Sequence, residues 1–298
     1  MNEELYLPYG SAAEGPFSVS VMPGRAGWGW AALRVLELAA GGSTGFSTGG
    51  HEVIVLPLAG SAVVEADGER IGLQGRRSVF SRVSDFAYVP PGSDVVVSSA
   101  EGGRFALPSA PASRRFPARY CPAEKVPVEL RGAGQCSRQI NNFATPGAFD
   151  AGALIACEVL TPAANWSSYP PHKHDEYREG TESELEEIYY FEVAGAGGMA
   201  YQRVYGSRER PVDVLAEVRT GDVVLIPHGW HGPSMAVPGY DLYYLNVMAG
   251  PSPERAWRIC DDPAHGWIRD TWKEQAVDPR LPLTTAAEAP GPGEVSAR

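Results

Sequence analysis

Histidine is scarce in this chain, and four of its six histidines lie between positions 172 and 231. His172 and His174 stand two apart in the segment PPHKHD. On an extended strand the side chains of residues i and i+2 point to the same face, so both imidazoles can bind one ion. A carboxylate from the next strand and a third imidazole from a later strand would complete a three-nitrogen, one-oxygen ligand set with open positions for a substrate.

The carboxylate is assigned by strand alternation. Several glutamates lie in the run TESELEE, and an acidic run of this kind is usually a solvated loop. Glu187 shares its face with Tyr189 and Phe191, which we expect to point into a barrel, whereas Glu186 would point outward. We therefore predict Glu187 as the ligand, and a register shift of one residue would give the role to Glu186.

The third imidazole is predicted to be His231, which ends the run GDVVLIPHGWH that begins at Gly221. A His-x-His pair, a glutamate opening an aromatic strand, and a glycine–proline turn closed by histidine form the two-part metal signature of cupin barrels. The turn is one residue shorter than that pattern, and the gap from His174 to Glu187 is longer. The short turn leaves His228 as a rival ligand, but we expect alternation to point His228 away from the ion.

Composition restricts the remaining possibilities. The 34 Gly and 26 Pro residues favour many short strands joined by tight turns. The formal net charge of −11 disfavours binding to nucleic acid or to an anionic membrane. The chain begins MNEELYLPYG without an apolar targeting segment, which predicts a cytoplasmic protein. Its four cysteines are widely spaced and predict neither a zinc site nor a thioredoxin-type motif.

The strand signals fall into two groups, separated by a proline-rich stretch at 109–133 that we interpret as a linker. We predict an all-β chain of two tandem barrels, with domains at 1–130 and 131–298. Each barrel is expected to be a β-sandwich. The terminal segment TTAAEAPGPGEVSAR, residues 284–298, is expected to be poorly ordered.

The two halves look like degenerate copies of one plan. The run that begins at Glu52 matches the run that begins at Glu187, and a proline–glycine turn follows in both halves. Where a histidine would close the first turn, the chain has Val95, and no His-x-His pair precedes it. The first barrel is therefore predicted to lack a metal site.

Several longer segments carry a family resemblance: NWSSYPPHKHD, LEEIYYFE, YQRVYG, GDVVLIPHGWHGP and DDPAHGWI. They resemble the 5-deoxy-glucuronate isomerase of bacterial myo-inositol catabolism, most strongly between residues 165 and 268. The resemblance implies a bicupin fold of two double-stranded β-helix (jelly-roll) barrels. It also implies a relationship to the pectin-pathway uronate isomerase, which has a zinc site of three histidines and one glutamate.

The reaction implied is the isomerisation of 5-deoxy-D-glucuronate to 5-dehydro-2-deoxy-D-gluconate. A divalent ion can polarise the carbonyl as a Lewis acid, while a positioned base moves the proton, unless a hydride shifts instead. Tyr243 and Tyr244 are the candidate catalytic residues, and a glutamate near the metal is an alternative base. Arg203 is the first candidate for binding the substrate carboxylate, followed by Lys173 and Arg178.

Two other functions suit the same pattern. Three imidazoles and a carboxylate also bind ferrous iron in dioxygenases, and a cupin can bind a sugar acid without turning it over. The expected cofactor is one divalent ion: zinc, manganese or iron. The expected partner is a small sugar acid, and pairing of exposed barrel edges makes a homo-oligomer plausible.

Overall fold

The structure is a computed structural model that describes residues 4–287, and β-strands dominate it. The strands of the first 121 residues are β1 (Tyr6–Leu7), β2 (Phe17–Val21), β3 (Ala32–Leu38), β4 (Ser43–Ser47), β5 (His51–Ala66), β6 (Glu69–Arg76), β7 (Phe86–Val89), β8 (Asp94–Ser98), β9 (Gly103–Pro111) and β10 (Arg119–Cys121). The next seven are β11 (Val128–Arg131), β12 (Arg138–Ala144), β13 (Ile155–Thr161), β14 (Trp166–Ser167), β15 (His172–Lys173), β16 (Asp175–Arg178) and β17 (Glu182–Glu184). The last seven are β18 (Glu186–Val193), β19 (Ala200–Tyr205), β20 (Asp213–Val218), β21 (Val223–Ile226), β22 (Trp230–Ala236), β23 (Leu242–Ala249) and β24 (Cys260–Asp261).

Helical structure is brief. The α-helix α1 spans Ile268–Thr271, and single 3-10 turns span Arg25–Gly27, Ala123–Lys125, Gly134–Cys136 and Trp272–Glu274. Within residues 4–287, none of these helices is long and apolar enough to cross a membrane. The prediction of an all-β chain is confirmed.

The first half of the chain forms one nine-stranded sheet that curls around the long strand β5. The first part of β5 pairs with β7 and β9, and its second part pairs with β6 and β8. The bend lies at Gly60, whose φ is 91°. A Cβ atom at this position would lie 2.4 Å from the carbonyl oxygen of Gly102, so the close approach of β9 requires glycine. The apolar face of this curled sheet encloses its own core.

The second half forms a sandwich of two sheets. One sheet has seven strands in the order β1-β21-β18-β23-β13-β12-β11. The other has the order β20-β19-β22-β15-β24, with β14 also paired to β22. The N-terminal strand β1 belongs to the seven-stranded sheet, and β10 and β11 lie inside the stretch 109–133 that the sequence predicted as a linker. The domain limits at residue 130 stay a prediction.

The seven-stranded sheet uses both of its faces. On the face turned towards the first half, Arg76 forms an ion pair with Glu158, and both side chains are buried. Arg104 of the first half likewise binds Glu192 at 3.0 Å. Because alternate residues of a strand face opposite ways, this packing reserves the other face for the interior of the sandwich.

Two glutamates join the halves in a reciprocal way. Glu52 accepts hydrogen bonds of 2.6–2.7 Å from the backbone N–H groups of residues 152–154, just before β13. Glu186 accepts bonds of 2.8–2.9 Å from the N–H groups of residues 29–31, just before β3. These matching contacts make Glu186 the counterpart of Glu52. The repeat alignment that paired Glu52 with Glu187 is therefore one residue out of register.

The start of the predicted disordered tail is held in place. Thr284 exchanges backbone hydrogen bonds with the side chain of Gln139, at 2.9 and 3.1 Å. The carbonyl oxygen of Thr285 accepts a bond of 2.8 Å from the N–H of Val83. The prediction is therefore wrong for these residues, while positions 288–298 lie outside the described residues.

Candidate metal centre

Three imidazoles meet between the two sheets of the second half. His172 on β15 and His231 on β22 are directly opposite in antiparallel register, and their ring centroids are 4.4 Å apart. His174 follows β15, and its ring centroid is 4.8 Å from that of His231. One ligand atom from each lies within 4.8 Å of the others, and all three residues are buried. The structure thus brings together the three histidines selected from the sequence.

The carboxylate comes from the opposite sheet. Oε2 of Glu187 on β18 lies 3.0 Å from Nε2 of His231 and 3.3 Å from Nε2 of His174. Glu186 points the other way and binds backbone N–H groups of the first half. Alternation along β18 therefore separates the two glutamates as expected, and Glu187 is the one that faces the imidazoles.

Backbone carbonyls orient the three rings. Nδ1 of each imidazole lies beside one: His172 with Pro170 at 3.4 Å, His174 with Leu185 at 3.3 Å and His231 with Gly229 at 3.3 Å. A carbonyl can only accept, so each Nδ1 carries the proton and each Nε2 keeps a lone pair. This arrangement holds metal-ligating histidines in the required tautomer.

The buried polar atoms at this point fit a divalent cation. Nε2 of His174, Nε2 of His231 and both oxygens of Glu187 are buried without a hydrogen-bond partner. Lone pairs that face one another in a buried site repel each other and have lost their hydration. A cation between them removes the repulsion and compensates for the lost hydration. Imidazole nitrogen and carboxylate oxygen together are ligands that suit zinc, manganese or iron.

The protonation states also suit metal binding. Burial acts to raise the pKa of the Glu187 carboxyl, but the imidazoles of His231 and His174, in their protonated form, outweigh it and lower the pKa to about 2. Glu187 in turn outweighs the burial of His174 and raises the pKa of that imidazole, so a bound ion takes the place of a proton there. Burial, reinforced by the same two rings, lowers the pKa of His172 well below its ordinary value. Near pH 7 the carboxylate is therefore charged and His172 is neutral, as ligands must be.

The turn before β22 separates the two histidines of PHGWH. His228 is only partly buried and stands apart from the cluster, with burial and the nearby Arg210 lowering its pKa. Gly232, directly after His231, has a φ of 97°, and a Cβ there would lie 1.7 Å from the carbonyl oxygen of Ser168. Only glycine allows this approach, which fixes the path of the chain beside His231.

A small cavity lies beside the cluster, on the inner face of the seven-stranded sheet. Its volume is about 20 Å³, which is room for roughly one water molecule. His172 reaches into it, and its other polar lining comes from Arg131, Arg138, Ser168, Tyr189, Tyr244 and Asn246. The cavity therefore offers hydroxyl, amide and guanidinium groups next to the proposed metal position.

The two candidate tyrosines lie on opposite faces of β23. The hydroxyl of Tyr244 is 3.0 Å from Oγ of Ser168, which is 3.1 Å from the hydroxyl of Tyr189. Tyr243 instead donates a hydrogen bond of 2.8 Å to Glu158, on the face packed against the first half. Tyr244 therefore lies at the cavity, whereas strand alternation turns Tyr243 away from it.

The three cations selected to bind the substrate carboxylate do not line this cavity. Each one is paired with carboxylates near it: Arg203 with Asp213, Lys173 with Asp175 at 2.6 Å and Glu182 at 2.8 Å, and Arg178 with Glu176. These pairs neutralise the side chains and hold them elsewhere. Arg203, Lys173 and Arg178 therefore do not reach the cavity beside the histidine cluster, and their role stays an untested prediction.

Several polar residues of the cavity were missed from the sequence, and three of them show what signal was available. Asn246 interrupts the apolar strand LYYLNVMA, and a polar residue inside a buried strand is a usable signal. Arg138 opens the strand RQINNFA, which is polar enough to read as exposed. Ser168 stands in a loop, where serine carries no signal.

The KduI/IolB family matches residues 5–268. A 5-deoxy-glucuronate isomerase from Geobacillus kaustophilus (strain HTA426) is 40% identical over 271 residues, which cover 90% of this chain and 96% of that protein. The crystal structure of an IolB-like protein from Salmonella typhimurium LT2 is 34% identical with a TM-score of 0.82, covering 89% of this chain and 98% of the other.

A more distant structure shares the fold. Oxalate decarboxylase from Bacillus subtilis, which has Mn(II) centres, is similar with a TM-score of 0.54 and 13% identity. The match covers 78% of this chain and 71% of that one. At this identity the likeness shows the fold alone, and it supports the predicted bicupin architecture.

Proposed function

Because the chain belongs to the KduI/IolB family, we propose that it is a metal-dependent aldose–ketose isomerase acting on 5-deoxy-D-glucuronate. Its product is 5-dehydro-2-deoxy-D-gluconate, and the reaction is a cytoplasmic step of myo-inositol breakdown. The isomerase relative at 40% identity supports the substrate. The observation that carries the metal requirement is the buried cluster of lone pairs beside the cavity. We assign the chemistry to residues 131–298 and a supporting role to residues 1–130.

One divalent ion would be held by His172, His174, Glu187 and His231. When bound, it supplies a Lewis acid for the carbonyl oxygen and the neighbouring hydroxyl of the sugar. The chain keeps these ligands in place through the carbonyl groups behind the rings and excludes bulk water by burying them. Zinc, manganese and iron all accept this ligand set, so the ion is named only as divalent.

Tyr244 is the proposed hydroxyl donor to the substrate. Burial raises the pKa of Tyr244, so its phenol keeps its proton near neutral pH. Isomerisation of an aldose transfers a proton from the hydroxyl on C2 to the oxygen on C1, besides moving a hydrogen between the two carbons. The chain of Tyr244, Ser168 and Tyr189 hydroxyls can exchange that proton between the two oxygens.

Replacing Tyr244 with phenylalanine is expected to lower kcat by roughly 10- to 100-fold, because the variant loses a hydrogen-bond donor at the reacting oxygens. Tyr243→Phe is the matched control. It removes the same hydroxyl from the other face of β23 and should leave kcat near wild type. Steady-state kinetics of both variants measure the difference, and equal losses would place the two tyrosines in the same structural role.

The function itself is tested by incubating the metal-loaded protein with 5-deoxy-D-glucuronate without oxygen. NMR should show the aldehyde signal replaced by that of the ketone product. Conversion without oxygen excludes the need for a dioxygenase mechanism. Product that forms only with oxygen uptake would favour an iron dioxygenase, and tight binding of the sugar acid without turnover would favour a binding protein.

A further inference from the structure

One buried cation lines the cavity beside the metal cluster. Arg138 on β12 is 4% exposed, and its Nη1 donates to the carbonyl oxygens of Cys136 at 3.0 Å and Tyr169 at 3.4 Å. Among residues 4–287, no carboxylate forms an ion pair with it. Burial lowers the pKa of its guanidinium to about 10, which leaves it charged at neutral pH. Its guanidinium also lies 5.5 Å from the ring centroid of Trp272. A buried charge held by two carbonyl groups and one aromatic ring, without a carboxylate, is costly unless a ligand compensates it.

The second arginine at the cavity has a carboxylate partner. Arg131 on β11 binds Glu129 through Nε at 2.7 Å and Nη2 at 2.9 Å, and its side chain is 30% exposed. Its guanidinium also lies 5.6 Å from the ring centroid of Trp257. Arg131 is therefore already neutralised and lies towards the solvent side, whereas the charge of Arg138 faces inward.

A buried hydrogen-bond acceptor without a partner lies in the same cavity. The amide oxygen of Asn246 has no hydrogen-bond partner, and the residue is 3% exposed. Asn246 stands opposite Tyr189 in the register of β18 and β23. An acceptor without a partner and a guanidinium without a carboxylate partner in one cavity match a ligand that carries both hydroxyl groups and a carboxylate.

We propose that Arg138 binds the carboxylate of the substrate and that Asn246 accepts a hydrogen bond from one of its hydroxyls. This assignment rests on the proposed function, because it names the residues that select a sugar acid over a neutral sugar at that site. The planar fork of arginine suits a carboxylate with two parallel hydrogen bonds. The carboxylate end of the sugar then lies at Arg138 and the aldehyde end at the histidine cluster.

The route to this site passes between Arg131 and Trp257. Both residues line the small cavity, and both also line a neighbouring depression of about 400 Å³. The inner cavity, at about 20 Å³, is too small for a sugar acid as it stands. The substrate therefore either extends into the neighbouring depression or displaces the side chains of Arg131 and Trp257.

The test measures binding separately from turnover. The ligand is the alcohol obtained by reducing the aldehyde of 5-deoxy-D-glucuronate, which cannot isomerise, and calorimetry gives its Kd. Arg138→Met should weaken binding by on the order of 100-fold or more, because it removes one partner of a buried charge pair. The Kd of Arg138→Lys should lie between those of the wild type and Arg138→Met, since lysine keeps the charge but lacks the planar fork of arginine.

Arg255→Met is the matched control. Arg255 is also largely buried and donates only to carbonyl groups, those of Ala144, Phe149 and Leu154, but it lies outside this cavity. Its replacement should leave the Kd for the reduced acid unchanged. Bound metal is measured in every variant, so a collapsed site is recognised by metal loss.

A second ligand, 5-deoxy-D-glucose, carries no carboxylate and reports on the rest of the site. Wild-type preference for the acid over this sugar should disappear in Arg138→Met while turnover of the sugar persists. The assignment is overturned if Arg138→Met prefers the acid as strongly as the wild type does. It is also overturned if Arg138→Lys keeps its metal and binds the acid with the wild-type Kd. If the wild type binds the reduced acid through Arg138 but converts no aldehyde, the proposed function fails and the carboxylate site stands.

Discussion

Replacing His231 with alanine is expected to abolish isomerisation and to weaken metal binding by at least about 100-fold. His231 is central to the cluster, since its Nε2 lies 3.0 Å from Oε2 of Glu187 and its ring is the nearest neighbour of both other imidazoles. Without it, two nitrogens and one carboxylate remain, and the cavity gains room for water. Metal content by mass spectrometry and turnover by NMR measure both effects.

His228→Ala is the control from the same turn. His228 lies three residues earlier, outside the cluster, so its replacement should keep metal binding and kcat near the wild-type values. Retained metal in His231→Ala together with loss in His228→Ala would show that the turn presents the other histidine to the ion.

Glu187→Gln is expected to have the second large effect. The amide keeps the shape of the carboxylate but removes the negative charge that a divalent ion requires, so metal affinity should fall by about 100-fold or more. The apo-protein should remain folded, because the unpaired oxygens of Glu187 hold no backbone group in place. Metal titration followed by calorimetry gives the affinity, and thermal unfolding monitors the fold.

Glu186→Gln, one residue earlier, should show the opposite result. Its carboxylate binds three backbone N–H groups of residues 29–31, so the variant should lose on the order of 1–3 kcal/mol of stability while still binding metal. If Glu186→Gln lost metal binding and Glu187→Gln lost stability instead, β18 would have the register in which Glu186 faces the imidazoles.

The cluster of three histidines and one glutamate could be predicted because its pattern is local. Side-chain alternation decides that His172 and His174 act together and that Glu187, not Glu186, faces inward. The same rule requires Tyr243 and Tyr244 to face opposite ways, but it does not say which one faces the cavity. That depends on the pairing of β23 with β13 and β18, which is set by residues more than 50 positions away.

The arginine that we propose as the carboxylate-binding residue could not be predicted for the same reason. Arg203 looked available in sequence, but the β19–β20 pairing brings Asp213 to it. Lys173 is surrounded by carboxylates from β16 and β17. Arg138 reaches the cavity only because β12 lies two strands from β23 in the sheet, a neighbourhood that the spacing from position 138 to position 172 does not reveal.

The all-β fold could be predicted from the sequence more easily than the contacts between its two halves. The glycine- and proline-rich composition and the short apolar runs predicted strands, and the fold is all-β. The contacts that Glu52 and Glu186 make between the halves could not be predicted from the sequence. In a sequence, a glutamate that binds backbone N–H groups cannot be distinguished from an exposed glutamate. The repeat was therefore aligned one residue out of register.

The most direct test of the central claim is to restore the metal to apo-protein and follow turnover of 5-deoxy-D-glucuronate by NMR without oxygen. Bound metal is quantified on the same samples. We expect the chelated protein to be inactive and its activity to return in proportion to bound metal, with a limit of one ion per chain. Full activity in metal-free protein, or a metal-loaded protein that leaves the aldehyde unchanged, would contradict the account.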